Sequence, residues 1–354
     1  MNINDLVRPN ILKMKPYSSA RDEFKGTASV FLDANENPNN NGLNRYPDPL
    51  AMAVKQELGK IKGVKPENIF LGNGSDEAID VLIRIFCEPN IDNIVTLPPT
   101  YGMYEVSAET SNISVLKINL EADFQPNVEK ILLHTSADGK GVNQHSKILF
   151  ICSPNNPTGN SIEKAAILKL IEGFKGIVVI DEAYIDFSEQ PSCIEWINQY
   201  PNLVILQTFS KAWGHAAIRC GMAFASKEII DLMNKVKPPY NVNELTQRTA
   251  LKALKDIYKK EKAVKSILSE REKLVNKLRT FTFVQHIYPT DANFVLVKVR
   301  QPNEMYQWLL TNGIVVRNRT NVALCEGCLR ITIGTPAENK MLLKVMQESD
   351  YLIA

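Results

Sequence analysis

The chain has 354 residues, a hydrophobic fraction of 44%, a charged fraction of 23% and a formal net charge of +2. These values describe a globular protein with a large core, and the length is a soft prior for about two domains. The near-neutral charge gives no footing for nucleic acid or an anionic membrane, and no apolar run approaches transmembrane length. The opening "MNINDLVRPN" lacks the basic-then-apolar layout of a secretion signal, so the expected location is cytoplasmic.

In chain order, residues 1–30 read as an N-terminal arm that joins a smaller, later domain. "NENPNNNGLNRYPDP" follows, a loop by its Asn, Gly and Pro content. Then short Val-, Ile- and Leu-rich runs alternate with helical patterns. "IFLGN", "NIVTL", "ISVLKI", "KILFIC", "GIVVI", "LVIL" and "GMAFA" have the texture of buried strands in a mostly parallel sheet. "SDEAIDVLIRIF" and "SIEKAAILKLIEGF" carry helical periodicity, the first with Ser75 and Asp76 as capping candidates. This alternation predicts an α/β domain over 31–240 with helices on both sheet faces.

At "KPPYNVN", near residue 240, the texture changes. Residues 243–279 read as one long charged amphipathic helix or a helix pair. "FVLVKV", the helical "NEMYQWLLTNG", the strand-like "IVVR" and "LRITIG", and a last helix near 337–348 follow. Residues 241–354 are therefore expected to form the smaller α+β domain. "YKKEKAVK" is the solvated face of its first helix. Six cysteines are scattered along the chain. Cys325 and Cys328 have C-x-x-C spacing, but no second pair or spaced histidines complete a zinc set. Reduced structural thiols are expected, with a redox pair as the lesser reading.

In open α/β sheets ligands bind beyond the carboxyl ends of the strands. Five strand-like runs there deliver polar or aromatic groups: Gly74-Ser75-Asp76, Pro98-Pro99-Thr100-Tyr101, Ser153 to Gly159, Asp181 to Tyr184, and Thr208 to Lys211. Taken singly, each has a plain reading: Lys211 as a surface lysine, Asp181 as a cap, Asn156-Pro157 as a turn, Tyr101 as core. Their convergence on one rim argues otherwise. Lys211 supplies an amine for a Schiff base, and Asp181 a carboxylate for a protonated ring nitrogen. Asn156 and Tyr184 can donate to a phenolate, and Tyr101 offers a stacking face. Ser210, Arg219 and the helix start at Gly74 to Asp76 make a phosphate cup. Together they describe a pyridoxal phosphate site. Arg330 lies inside a strand-like run, where a buried arginine needs an anion.

"SPNNPTG", "DEAY", "TFSKA" and the Arg219-x-Gly221 step resemble the fold-type I aminotransferases. "PYSSAR", "NRYPDP", "PPTYGMYEVSAET", "DEAYIDF" and "GCLRITIGT" narrow the resemblance to the histidinol-phosphate aminotransferase family, from about Arg8 to residue 348. The resemblance implies a large pyridoxal-phosphate-binding domain and a smaller α+β domain. It implies Lys211 as the Schiff-base lysine, Asp181 as the pyridinium partner, and Tyr184 and Asn156 at the cofactor's O3′. It places Tyr101 as the stacking ring and Gly74, Ser75, Asp76, Ser210 and Arg219 around the phosphate. Tyr46 would reach the neighbouring subunit's cofactor phosphate in a homodimer. Arg330, Arg317 and Tyr17 would bind substrate, with Arg319 able to replace Arg317. The implied reaction transfers the amino group of L-histidinol phosphate to 2-oxoglutarate, giving imidazole-acetol phosphate and L-glutamate.

The rival readings are an L-threonine-O-phosphate decarboxylase, an aromatic or broad-specificity aminotransferase, and the sensor domain of a regulator. The last would need a DNA-binding module ahead of residue 8, which is not expected. The chain departs from the family at Ala216-Ala217-Ile218-Arg219, where a glycine usually stands at the second position. The lysine loop is therefore expected to differ in shape, with Gly214 supplying flexibility and Trp213 and His215 packing locally.

Overall fold

A computed structural model describes residues 2–17, 26, 28–135 and 145–353. A seven-stranded sheet dominates it. Its strands are β1 (Ile69–Asn73), β2 (Asn93–Thr96), β3 (Ser114–Lys117), β4 (Ser146–Cys152), β5 (Ile177–Asp181), β6 (Leu203–Thr208) and β7 (Cys220–Ala225). The spatial order is β1-β7-β6-β5-β4-β2-β3. β7 runs antiparallel to both neighbours, and the other pairs are parallel.

The apolar runs have no polar alternation because both faces are covered. Alternate residues feed two cores. Leu149, Ile151, Val178, Ile180, Leu203 and Ile205 enter one, while Ile148, Phe150, Ile177, Val179, Val204 and Leu206 enter the other. The second face carries α1 (Pro9–Lys13), α3 (Gly74–Phe86), α4 (Met103–Thr110) and α7 (Lys227–Val236). The first carries α2 (Met52–Lys62), α5 (Val128–Thr135), α6 (Lys164–Gly173) and α8 (Glu244–Leu254). This parity decides where Asp181 points. It follows Ile177 and Val179 in register, so its side chain leaves the sheet on the face of α3 and α4.

The smaller sheet is antiparallel, in the order β10-β11-β9-β8, from β8 (Val284–Ile287), β9 (Phe294–Val299), β10 (Arg317–Asn318) and β11 (Cys328–Thr332). With α9 (Ile257–Leu278), α10 (Pro302–Thr311) and α11 (Pro336–Ile353) it closes a separate core around Leu274, Val295, Val297, Met305, Leu329 and Ile331. No helix among the described residues is long and apolar enough to cross a membrane.

Several expectations change. Of the two readings of the charged stretch from 243, the helix pair holds, as α8 and α9, interrupted at Lys255 and Asp256. Val242, Ala250 and Leu254 lie in a core of the large sheet, so we place the division of the two lobes at that interruption rather than near 240. Ile3, Val7 and Ile11 also pack against the large sheet, and Arg8 pairs with Glu88 at 3.0 Å. The first turn of the arm thus belongs to the large lobe, not the small one. Ser75 and Asp76 do not cap α3, whose N-cap is Asn73, and both lie inside its first turn. Of "IVVR" only Arg317 pairs as strand, at the sheet edge, while Val316 is drawn into the core.

Candidate active site

A cavity of about 730 Å³ opens where β1, β2, β4, β5 and β6 end. β7 is antiparallel, so its beginning reaches the same rim and brings Arg219 there. The cavity gathers Gly74, Ser75, Asp76, Tyr101, Asn156, Asp181, Tyr184, Ser210, Lys211, Arg219, Arg317 and Arg330.

One corner is built from the start of α3. Gly74 has φ +75°, and a Cβ on it would sit 2.7 Å from Arg219 Nη2. Behind it, a Cβ on Gly221 would lie 2.1 Å from the Ser75 backbone nitrogen. Only glycines let the helix N-terminus and β7 approach this closely. Arg219, itself left-handed at φ 48°, donates to Asp76 at 3.3 Å. Tyr101 Oη donates to the other Asp76 oxygen at 3.1 Å. Thr208 Oγ1 accepts from the Ser210 backbone N–H at 3.1 Å and donates to Ser210 Oγ at 3.0 Å. Ala217 sits in a 3-10 turn (Ala216–Ile218), which alanine adopts freely, and Gly214 takes the left-handed conformation at φ 67°. Trp213 packs against Phe209 with centroids 5.4 Å apart, and His215 Nδ1 is bonded to the Trp213 carbonyl.

The floor is Asp181, 2% exposed. Its oxygens accept from Tyr104 Oη at 2.7 Å and from the Ala183 N–H at 3.1 Å. Burial raises its carboxyl to about 6, with the Tyr104 and Ala183 bonds pulling the other way. Lys211 Nζ stands 5.4 Å from the Tyr184 ring centroid. Its amine is lowered, first by burial and then by Arg330, with Arg219 adding less and Asp181 and Asp76 opposing. Tyr184 packs edge-on to Phe294 of the small sheet at 5.2 Å, and burial raises its phenol.

The far wall is cationic. Arg317 and Arg330 are direct cross-strand partners, an arrangement of like charges that costs stability without an anion. Arg319, between them in sequence, has its backbone N–H on the Cys328 carbonyl at 2.8 Å. The Nε atoms of Arg319 and Arg330 are buried without partners. Arg330 Nη1 donates to Asn156 Oδ1, which turns the Asn156 Nδ2 into the group it offers the cavity. Burial, Arg330 and Arg317 all lower Arg319. No carboxylate ion pair to these three arginines exists among the described residues.

The family model "Aminotransferase class I and II" matches residues 20–346. The chain belongs to this family. A histidinol-phosphate aminotransferase of Parabacteroides distasonis is 55% identical over 346 residues, covering 98% of each chain. One from Flavobacterium johnsoniae is 54% identical over 349 residues, again covering 98% of each. The crystal structure of a histidinol-phosphate aminotransferase from Clostridium acetobutylicum aligns with TM-score 0.78 and 27% identity, over 88% of this chain and 92% of that one. A Sinorhizobium meliloti structure, titled as the same enzyme in complex with pyridoxal-5'-phosphate, shares the fold at TM-score 0.79 and 21% identity, over 88% of this chain and 84% of that one.

Aminotransferases of this family work with pyridoxal 5′-phosphate, and the cavity fits that group. The Gly74 cradle and the Arg219 corner suit a phosphate dianion, the amine of Lys211 an aldehyde, and buried Asp181 a protonated ring nitrogen. Two expected residues lie elsewhere. Tyr46 is 50% exposed and stacks on Tyr240 at 4.4 Å, beside a separate groove with Leu43 and Leu245. Tyr17 is 68% exposed and does not line the cavity. Its motif neighbours 18–21 lie outside the described residues. Cys325 and Cys328 are buried free thiols, pushed by burial up to about 12 and about 11. The sequence reading missed Tyr104 and the aromatic wall of Phe294. Tyr104 had a signal, since it stands three residues after Tyr101, in the first turn of α4.

Proposed function

We propose that this aminotransferase moves the amino group of L-histidinol phosphate to 2-oxoglutarate, giving imidazole-acetol phosphate and L-glutamate. One observation carries the reading: Arg317, Arg319 and Arg330 form an unneutralised anion site across the cavity from the Asp76–Arg219 corner. The cavity thus has two anion sites, one for a cofactor phosphate and one for the substrate's. The named activity of relatives at 54–55% identity over nearly the whole chain agrees with it.

Bound in this cavity, pyridoxal phosphate supplies an electron-withdrawing ring for the carbanion at the substrate's Cα. The chain's own groups do the rest. Gly74, Ser75, Asp76, Ser210 and Arg219 hold the cofactor's phosphate end. Asp181 holds the proton of the ring nitrogen. Asn156 Nδ2 and Tyr184 Oη would serve the cofactor's O3′, and Tyr101 would give its ring a stacking face. The Lys211 amine would hold the aldehyde carbon in the absence of substrate. Burial and Arg330 lower the basicity of Lys211, which favours the neutral amine that would take the Cα proton and deliver it one carbon away. Arg330 and Arg317, joined by Arg319, orient the phosphate of histidinol phosphate in the first half-reaction and the α-carboxylate of glutamate in the second, both bidentate acceptors.

In this reading Tyr46 acts across a homodimer interface on the neighbouring subunit's cofactor phosphate, and Tyr17 binds substrate from the N-terminal arm. Leu43, Tyr46 and Leu245 are large, exposed and gathered in one groove, as an apolar surface awaiting a second copy would be. The enzyme works in the cytoplasm, consistent with the histidine-biosynthetic step it would perform. The deciding experiment mixes purified holoenzyme with L-histidinol phosphate. The visible cofactor absorbance should bleach and return with 2-oxoglutarate. Carbon dioxide release from L-threonine O-phosphate without an oxo acid, or turnover of phenylalanine equal to that of histidinol phosphate, would overturn the assignment. Sedimentation velocity tests the dimer.

A further inference from the structure

The reading of Asp181 as the ring-nitrogen partner raises a difficulty. A carboxylate and a pyridinium at the bottom of a buried cavity can relax to a neutral pair, because low dielectric favours moving the proton onto the carboxylate. A neutral ring is a poor electron sink, so something must hold the charge on Asp181.

Tyr104 stands where that is done. It is completely buried, stacked on Phe150 at 4.5 Å and 10°, and edge-on to Tyr101 at 5.5 Å. Its hydroxyl donates to Asp181 Oδ2 at 2.7 Å, in the range of a charge-assisted bond. Cys152 also lies within reach of the hydroxyl, but a thiol is a weaker acceptor than a carboxylate. The other groups around Asp181 do not replace it. Lys211 is a cation but must be neutral when it takes a proton, and Asp76 is a like charge. Tyr101, Tyr184 and Cys152 are kept neutral, chiefly by burial. The Ala183 N–H binds the other carboxylate oxygen.

We propose that Tyr104 is a positioning residue for the reaction: its hydroxyl bond to Asp181 keeps that carboxylate ionised, so that the proton stays on the cofactor's ring nitrogen. The proposal rests on the reading of Asp181 given above. A hydrogen bond to a charged group is worth more than one between neutral groups, so its loss shifts the proton toward Asp181 without touching the substrate site.

The test is the ¹⁵N resonance of ring-labelled pyridoxal phosphate bound to the holoenzyme. The wild type should show a protonated ring nitrogen. Tyr104→Phe keeps the stack on Phe150 and should move the resonance toward neutral pyridine. Its first half-reaction should slow about tenfold at pH 7 with KM for histidinol phosphate unchanged. Tyr104→Gln, which keeps a donor, should hold the resonance nearer the wild-type position. In an Asp181→Asn background, Tyr104→Phe should add little, because no charge remains to be held. An unmoved resonance in Tyr104→Phe, or rate losses that multiply in the double variant, would overturn the proposal. A neutral ring nitrogen in the wild type would instead overturn the reading of Asp181.

Discussion

The two ends of the cavity are built on opposite plans. At the α3 corner each charge has its counterpart: Arg219 meets Asp76, and Asp76 also takes the Tyr101 hydroxyl. Every group there comes from the rim of the large sheet. At the other end, Arg317, Arg319 and Arg330 come from the small sheet and crowd one another without a carboxylate. A corner with balanced charge is complete before its ligand arrives. A cluster of like charges is completed by the ligand, so its affinity depends on how many negative charges that ligand brings. A resident cofactor and an exchanging substrate call for these two plans.

The sharpest way to break the comparison is Lys211→Ala, which leaves both anion sites whole and removes the group between them. Turnover should fall by about 10³-fold or more, as for loss of a general base that also binds the cofactor, while phosphate affinity at the two ends persists. Single-turnover absorbance with histidinol phosphate measures it. A variant that still turns over would remove Lys211 from the mechanism.

Asp181→Asn should cost about 10²- to 10³-fold in the first half-reaction, and it carries an opposite prediction for the apoprotein. Folding raises the Asp181 carboxyl from 3.8 to about 6, so its ionisation disfavours the folded state. That cost is absent below the unfolded value, grows as pH rises between the two, and is full above about 6. At about 1.4 kcal/mol per unit it amounts to roughly 3 kcal/mol. Apo Asp181→Asn should therefore melt above apo wild type at pH 8 and converge with it near about pH 4. Equal melting temperatures at both pH values would show that the carboxylate is not held at a cost.

The balanced corner was the legible one. Ser210, Lys211 and Arg219 lie in one short stretch, Asp181 ends a strand, and Tyr101 lies in the loop after another, both strands announced by their Val and Ile content. Such positions are local facts of a sheet rim. The cationic wall depends on the register that sets Arg317 opposite Arg330, which spacing alone does not specify. Tyr104 and Asp181 meet across 77 positions of chain, and Phe294 meets Tyr184 only because two lobes close on each other. The arm went astray for a different reason. Ile3, Val7 and Ile11 come from a 3-10 turn, the link after it and a short helix, yet all three are buried in a core of the large sheet and bind the arm there.

Arg330→Gln should raise KM for histidinol phosphate by about 100-fold, since it removes a bidentate, charge-assisted contact and releases the Asn156 amide that Arg330 orients. Half-reaction titrations with each substrate measure it. Arg219→Gln should weaken cofactor retention instead. If both variants weakened the same ligand, the division of the cavity into two ends would fail.

Arg319→Gln is the smallest perturbation and the finest test of the unbalanced end. Two arginines still neutralise a dianion, so KM for histidinol phosphate should rise about tenfold. KM for 2-oxoglutarate, whose carboxylate at this place has one charge, should rise less. The apoprotein should lose no stability, because burial beside Arg330 and Arg317 already works against the Arg319 charge. The phosphate's second ionisation, near about pH 6, supplies the pH dependence. In the wild type KM should climb as pH falls through that value, since a monoanion leaves more of the cluster's charge uncompensated. With one cation fewer, the climb should be shallower. Parallel pH profiles, with equal losses for phosphate and carboxylate substrates, would mean that Arg319 shapes the loop and does not count charge.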